Sequence, residues 1–175
     1  MKKLLIVVDM QNDFITGPLG SEEALATVPH VKQKVAEFSQ AGHPIIFTKD
    51  THFDDYLETS EGKSLPVVHC IKGTSGHAII SDLEMEDSTV IEKQTFGSLE
   101  LVNFIESFVD DLHEIELCGV CTDICVVSNA LLLKAKFPEM KFTVDAKACA
   151  GVTGESHEAA LLTMKMCHID VIEDR

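Results

Sequence analysis

Short apolar runs rich in valine and isoleucine recur at Leu4–Val8, Pro44–Thr48, Thr89–Glu92, Glu114–Cys118, Lys141–Asp145 and His168–Ile172. Each is short enough for a strand, and between most of them the apolar period lengthens to that of a helix. Val28, Val31, Val35 and Phe38 form one helical stripe, closed by Gly42 at a C-cap position; Leu101, Val102, Ile105, Phe108 and Val109 form a second. Capping-type residues predict a third helix from Thr122–Asp123 to about Lys136 and a fourth from Glu155 to Met166. Strand and helix alternating in this way imply right-handed crossovers. The expected fold is α/β, a three-layer α/β/α sandwich around a mainly parallel, Rossmann-like six-stranded sheet.

At 175 residues the chain reads as a single domain spanning 1–175, without an internal repeat, a low-complexity tract or an interdomain linker. Residues 50–80 interrupt the pattern: they carry Gly62, Pro66, Gly73 and Gly76 and show no periodic core stripe. A loop this long inside a small domain is usually functional.

Composition narrows the function. A formal charge of −15, from 29 acidic against 14 basic side chains, repels phosphate backbones and anionic lipid headgroups, so nucleic-acid and membrane-surface roles are not expected. The opening apolar run stops at Asp9 without a small-residue cleavage site and reads as a buried strand rather than an export signal. No apolar stretch approaches the length needed to cross a bilayer. Six cysteines in a chain without export features are expected to be reduced thiols in a cytoplasmic protein.

Ligand chemistry in such folds gathers at the carboxyl ends of the strands. There the sequence places Asp9 after the first strand, Lys49, Asp50, Thr51 and His52 after the second, Lys93 at the end of the third, and Cys121 and Cys125 after the fourth. Taken singly, each has a structural reading; their convergence on one edge points to a site. Within "GVCTDICVVSNALL" Cys121 lies in the turn, whereas Cys125 falls in the first helical turn, where unpaired N–H groups and the dipole favour a thiolate. Cys125 is therefore the better nucleophile by position. The backbone N–H groups of the Cys121 and Cys125 region are suited to hold the oxyanion of a tetrahedral intermediate. An iron–sulfur or redox use of Cys118, Cys121 and Cys125 fits less well, since Cys118 belongs to the strand and no suitably spaced fourth cysteine follows.

Asp50 and His52, two apart, can point the same way, and His69 can fold back to join them. Two imidazoles and a carboxylate suit Zn, Fe or Mn, with Glu61, preferred over Glu58, as a fourth ligand. His30, His43, His77, His113, His157 and His168 read as surface histidines without a role.

"VVDMQNDF" closing the first strand, a lysine after the third and "GVCTDIC" after the fourth resemble the isochorismatase-like cysteine hydrolases, and "KDTHF" with "HCIKGTSG" is similar to their nicotinamidase branch. The resemblance runs over essentially the whole chain. It implies the isochorismatase-like hydrolase fold, a catalytic triad of Asp9, Lys93 and Cys125, and an oxyanion hole from the N–H groups of Cys121 and Cys125. It also implies a cis peptide between Val120 and Cys121, a geometry rare outside proline. Asp50, His52 and His69 map onto the family's metal ligands, and Glu61 onto a fourth that varies among members. Phe14, Val120 and Cys121 map onto the substrate pocket.

The implied reaction is hydrolysis of nicotinamide to nicotinate and ammonia through a thioester on Cys125, with a divalent metal, zinc foremost, and no organic cofactor. Partners would be the small amide and further copies of the chain, in a dimer or tetramer. Where the branch often carries an aromatic residue before the second metal histidine, this chain has Leu65, Pro66, Val67 and Val68; Phe96 is a candidate replacement. That departure keeps open an amidase of the same family acting on a carbamoyl or ureido compound. A non-catalytic metal or redox thiol module is the alternative from another class.

Overall fold

The computed structural model describes residues 2–83, 85 and 88–173. Six strands form one sheet: β1 (Lys2–Val8), β2 (Ile45–Asp50), β3 (Thr89–Lys93), β4 (Leu112–Val120), β5 (Lys141–Ala150) and β6 (Asp170–Ile172). Their spatial order is β3-β2-β1-β4-β5-β6, and every pairing is parallel. The helices are α1 (Asn12–Ile15), α2 (Glu22–Gln40), α3 (Ser60–Ser64), α4 (Leu99–Glu106), α5 (Val127–Lys136) and α6 (Gly154–Met166). None is long and apolar enough to cross a membrane.

The central strand reads as an unbroken apolar run because helices cover both of its faces; Leu4, Leu5, Ile6, Val7 and Val8 are fully buried. Chain order reverses at β1, whose neighbours are β2 and β4, so a topological switch point opens at the carboxyl ends of β1 and β4. Gly119 makes this approach close: its φ is +116°, and a Cβ there would meet the Val8 carbonyl oxygen at 2.1 Å.

Helix α2 begins at Ser21, whose hydroxyl accepts from Ala24 N–H at 3.0 Å, with Glu22 and Glu23 at the positive end of the dipole. It ends in a Schellman turn: Gly42, φ +67°, donates to Ser39, and His43 donates to the Phe38 carbonyl at 2.9 Å. The buried face includes Lys34 beside the expected Val31, Val35 and Phe38. Its ammonium pairs with Glu116 of β4 at 2.5 Å and Asp145 of β5 at 2.7 Å.

Several boundaries move. β2, β4 and β5 run further toward the carboxyl edge than their apolar runs, because Lys49–Asp50 still pairs with β3, and Gly119–Val120 with Cys149–Ala150. The second apolar stripe breaks at Ser107, and Phe108 caps a separate 3-10 turn at Val109–Asp111. The third helix opens with a π turn, Thr122–Val126, before becoming α5.

Candidate active site

Three of the predicted residues meet at the switch point. Asp9 leaves β1 with φ +49°, and Thr48 on β2 fixes its carboxylate by donating to Oδ1 at 2.6 Å. Lys93, the last residue of β3, places its ammonium 2.6 Å from Asp9 Oδ2 and 3.3 Å from the Cys125 sulfur. Cys125 lies in the π turn that follows β4. All three side chains are buried.

Burial sets their protonation. Desolvation pushes the Asp9 carboxyl up from the ordinary carboxylate value, with Lys93 only partly opposing it. Burial also pushes the Cys125 thiol well up, and the neighbouring Asp9 charge adds to this while Lys93 works against it. Burial disfavours the charged form of Lys93, yet Asp9, Cys125 and Asp50 together hold it charged well beyond an ordinary lysine. The resting group is thus a neutral thiol beside a basic carboxylate and a fixed cation. Such a set can move the sulfur proton to Asp9 as a carbonyl carbon approaches, with the thiolate forming next to an ammonium.

The peptide between Val120 and Cys121 is cis. The π turn's five-residue bond runs from Val126 N–H to the Cys121 carbonyl at 3.0 Å, and Ile124 N–H reaches the same carbonyl at 3.1 Å. Burial pushes the Cys121 thiol up to about 12, which makes it a poor nucleophile at neutral pH.

The predicted metal residues also converge. Asp50, His52, Glu61 and His69 each offer one ligand atom, all within 4.8 Å of one another. His52 Nε2 lies 2.9 Å from Asp50 Oδ2 and 3.6 Å from Glu61 Oε1; His69 Nε2 lies 3.4 Å and 3.8 Å from the same two oxygens. His69 Nδ1 is engaged by the Val67 carbonyl at 2.7 Å, leaving Nε2 toward the cluster, and buried His52 Nε2, though close to Asp50 Oδ2, is not aligned to hydrogen-bond with it. Two imidazole nitrogens with two carboxylates, one nitrogen orphaned, fit a divalent cation. Tyr56 packs against both imidazoles, 4.6 Å and 5.0 Å between ring centroids, and donates to the Leu65 carbonyl.

Both groups open on one cavity of about 930 Å³. Phe14, Tyr56 and Phe96 line it, so the expected replacement ring does reach the wall, as do Cys121, Ile124, Cys125 and residues 150–152. Val120 is fully buried behind Cys121, outside the cavity lining.

Some contributors were not evident from the pattern. Gln11 and Thr48 are buried and fasten the ends of β1 and β2. Asn129 ties the nucleophile turn to the loop after β3: its Nδ2 donates to the carbonyls of Cys125 and Phe96, and its Oδ1 accepts from Ser98 N–H. Gln11 stood in the quoted motif and Asn129 just beyond "GVCTDIC"; Thr48 carried no signal. His77 is buried against Thr51 rather than on the surface, and His157 Nδ1 lies 2.8 Å from Thr122 Oγ1. All six cysteines are free thiols.

This geometry agrees with the comparisons. The family model described as "Isochorismatase domain" matches residues 3–174. A nicotinamidase of Schizosaccharomyces pombe is 28% identical, over 98% of this chain and 93% of its own. The crystal structure of a pyrazinamidase of Pyrococcus horikoshii in complex with zinc superposes with a TM-score of 0.87 at 27% identity, covering 99% of this chain and all of that one. An N-carbamoylsarcosine amidase from Thermoplasma acidophilum gives a TM-score of 0.80 at 25% identity, over 98% and 95% of the two chains. The chain belongs to the isochorismatase family and is a hydrolase of its nicotinamidase branch.

Proposed function

We propose that the protein is a nicotinamidase, converting nicotinamide and water to nicotinate and ammonia through a thioester on Cys125. The observation that carries this reading is the Lys93 ammonium lying 2.6 Å from Asp9 and 3.3 Å from the sulfur of Cys125, which lines the same cavity as the four potential metal ligands.

Asp9 takes the Cys125 proton as sulfur attacks the amide carbon, and Lys93 balances the charge on both partners. The N–H groups of Cys121 and Cys125 receive the oxyanion. When the carbon–nitrogen bond breaks, Asp9 returns the proton to nitrogen and ammonia leaves. Asp9 then deprotonates water, which attacks the thioester carbon, and the departing sulfur recovers the proton. Asp50, His52, Glu61 and His69 would hold a divalent cation, zinc foremost, which when bound supplies a Lewis-acid anchor for the ring nitrogen of the substrate. Phe14 and Phe96 line the cavity that would receive that ring.

The second reading is an amidase for another small carbamoyl or ureido compound. It is favoured by the aliphatic residues 65–68 before His69 and by the structural likeness to the carbamoylsarcosine amidase. Ammonia release from nicotinamide, pyrazinamide and a carbamoyl compound, with and without chelator, decides between them. Turnover of the carbamoyl compound alone would reject the nicotinamidase.

A further inference from the structure

The mechanism uses Asp9 and Phe14 of "VVDMQNDF" and leaves Gln11, Asn12 and Asp13 unassigned. These three consecutive side chains each fasten a different piece of the 50–80 excursion. Gln11, fully buried, donates to the Asp50 and His77 carbonyls at 2.8 and 3.0 Å and accepts from Asp50 N–H at 2.7 Å. Asn12 donates to the Ser75 carbonyl at 2.8 Å. Asp13 Oδ2 accepts from Cys70 N–H, also at 2.8 Å.

The last bond stands out for where it acts. Cys70 directly follows His69, has φ +48°, and accepts His52 N–H on its carbonyl at 2.9 Å. One residue therefore joins the segments carrying both imidazoles, and its own N–H is held by a carboxylate 57 positions away. Room for that carboxylate is built in: a Cβ on Gly76 would meet it at 2.2 Å. A charge-assisted bond at a residue with unfavourable φ is a means of fixing backbone.

We propose that Asp13 is a positioning residue of the metal quartet. By holding Cys70 it sets His69 and His52 against Asp50 and Glu61, and so governs metal affinity without touching metal, substrate or sulfur. The inference rests on the metal reading above.

The test is the zinc dissociation constant of the whole chain, measured by competition with a chromophoric chelator, for the parent, Asp13→Ala and Asp13→Asn. The zinc-induced rise in Tm is measured for each against its own metal-free form, which serves even for a destabilised variant. Asp13→Ala should weaken zinc binding roughly tenfold to a hundredfold and shrink the Tm rise, as loss of an outer-shell partner does. Asp13→Asn retains an acceptor oxygen and should restore most of the affinity. A purely structural residue would lower Tm yet leave the dissociation constant and the zinc-induced rise at parental values; that result overturns this inference alone. A parent chain that binds no zinc would overturn the metal reading together with it.

Discussion

Asp50 Oδ1 lies 3.7 Å from the Lys93 ammonium, while its Oδ2 faces His52 and His69. One carboxylate thus borders both the Lys93 ammonium and the two imidazoles of the proposed metal quartet. The contact follows from register, since Asp50 and Lys93 are paired at the ends of neighbouring parallel strands. Desolvation opposes the charge on Asp50, but His52, His69 and Lys93 hold its carboxyl well below the usual range.

The two halves should nonetheless separate in kinetics. Removing the metal with a chelator should raise KM for nicotinamide more than it lowers kcat, because the proposed role of the quartet is to place the substrate. His69→Ala should lower zinc stoichiometry. Glu61→Ala should do less, since Glu61 is the most exposed of the four and sits farthest from the imidazoles. Metal analysis of the purified variants checks both; unchanged stoichiometry in His69→Ala would remove it from the ligand set.

The pH profile should report Asp9. A base works only when unprotonated, and burial raises this carboxyl above its ordinary 3.8, so kcat/KM should fall in acid at a pH above that value. Asp9→Asn should cost at least about a hundredfold in kcat. An acid limb at the ordinary carboxylate value would contradict the assignment.

Under α2, Lys34 is a stability prediction. Burial opposes its charge, yet Asp145 and Glu116 outweigh that and raise its pKa above 10.5, so its stabilisation is complete below that value and is lost as pH rises through the folded pKa. Lys34→Met would leave the buried carboxylates of Glu116 and Asp145 without this counter-ion, at about 3–5 kcal/mol. That corresponds to a fall in Tm on the order of 10 °C at pH 7. The deficit should narrow in acid as the carboxylates protonate; thermal melts showing it widen would contradict the account.

Much of this was legible in the sequence because parallel α/β folds put chemistry just after strands, and Asp9, Asp50, Lys93 and Cys125 each follow or end an apolar run. Cys125 separated from Cys121 on helix position alone. Long-range satisfaction was not legible. Lys34 interrupts an apolar stripe, and nothing local shows that its partners lie on strands more than 80 positions onward. Gln11, Asp13 and Asn129 act on backbone groups whose proximity only the fold creates. The π turn escaped for a related reason, since side-chain periodicity does not distinguish it from the first turn of an α-helix.

The central claim is that the Cys125 sulfur, beside Asp9 and Lys93, is the nucleophile. Ammonia release from nicotinamide by Cys125→Ala, compared with Cys121→Ala, tests it most directly. The account predicts a loss on the order of 10⁴-fold or more in Cys125→Ala, with the fold intact by circular dichroism, and substantial activity in Cys121→Ala. Appreciable turnover by Cys125→Ala would contradict it.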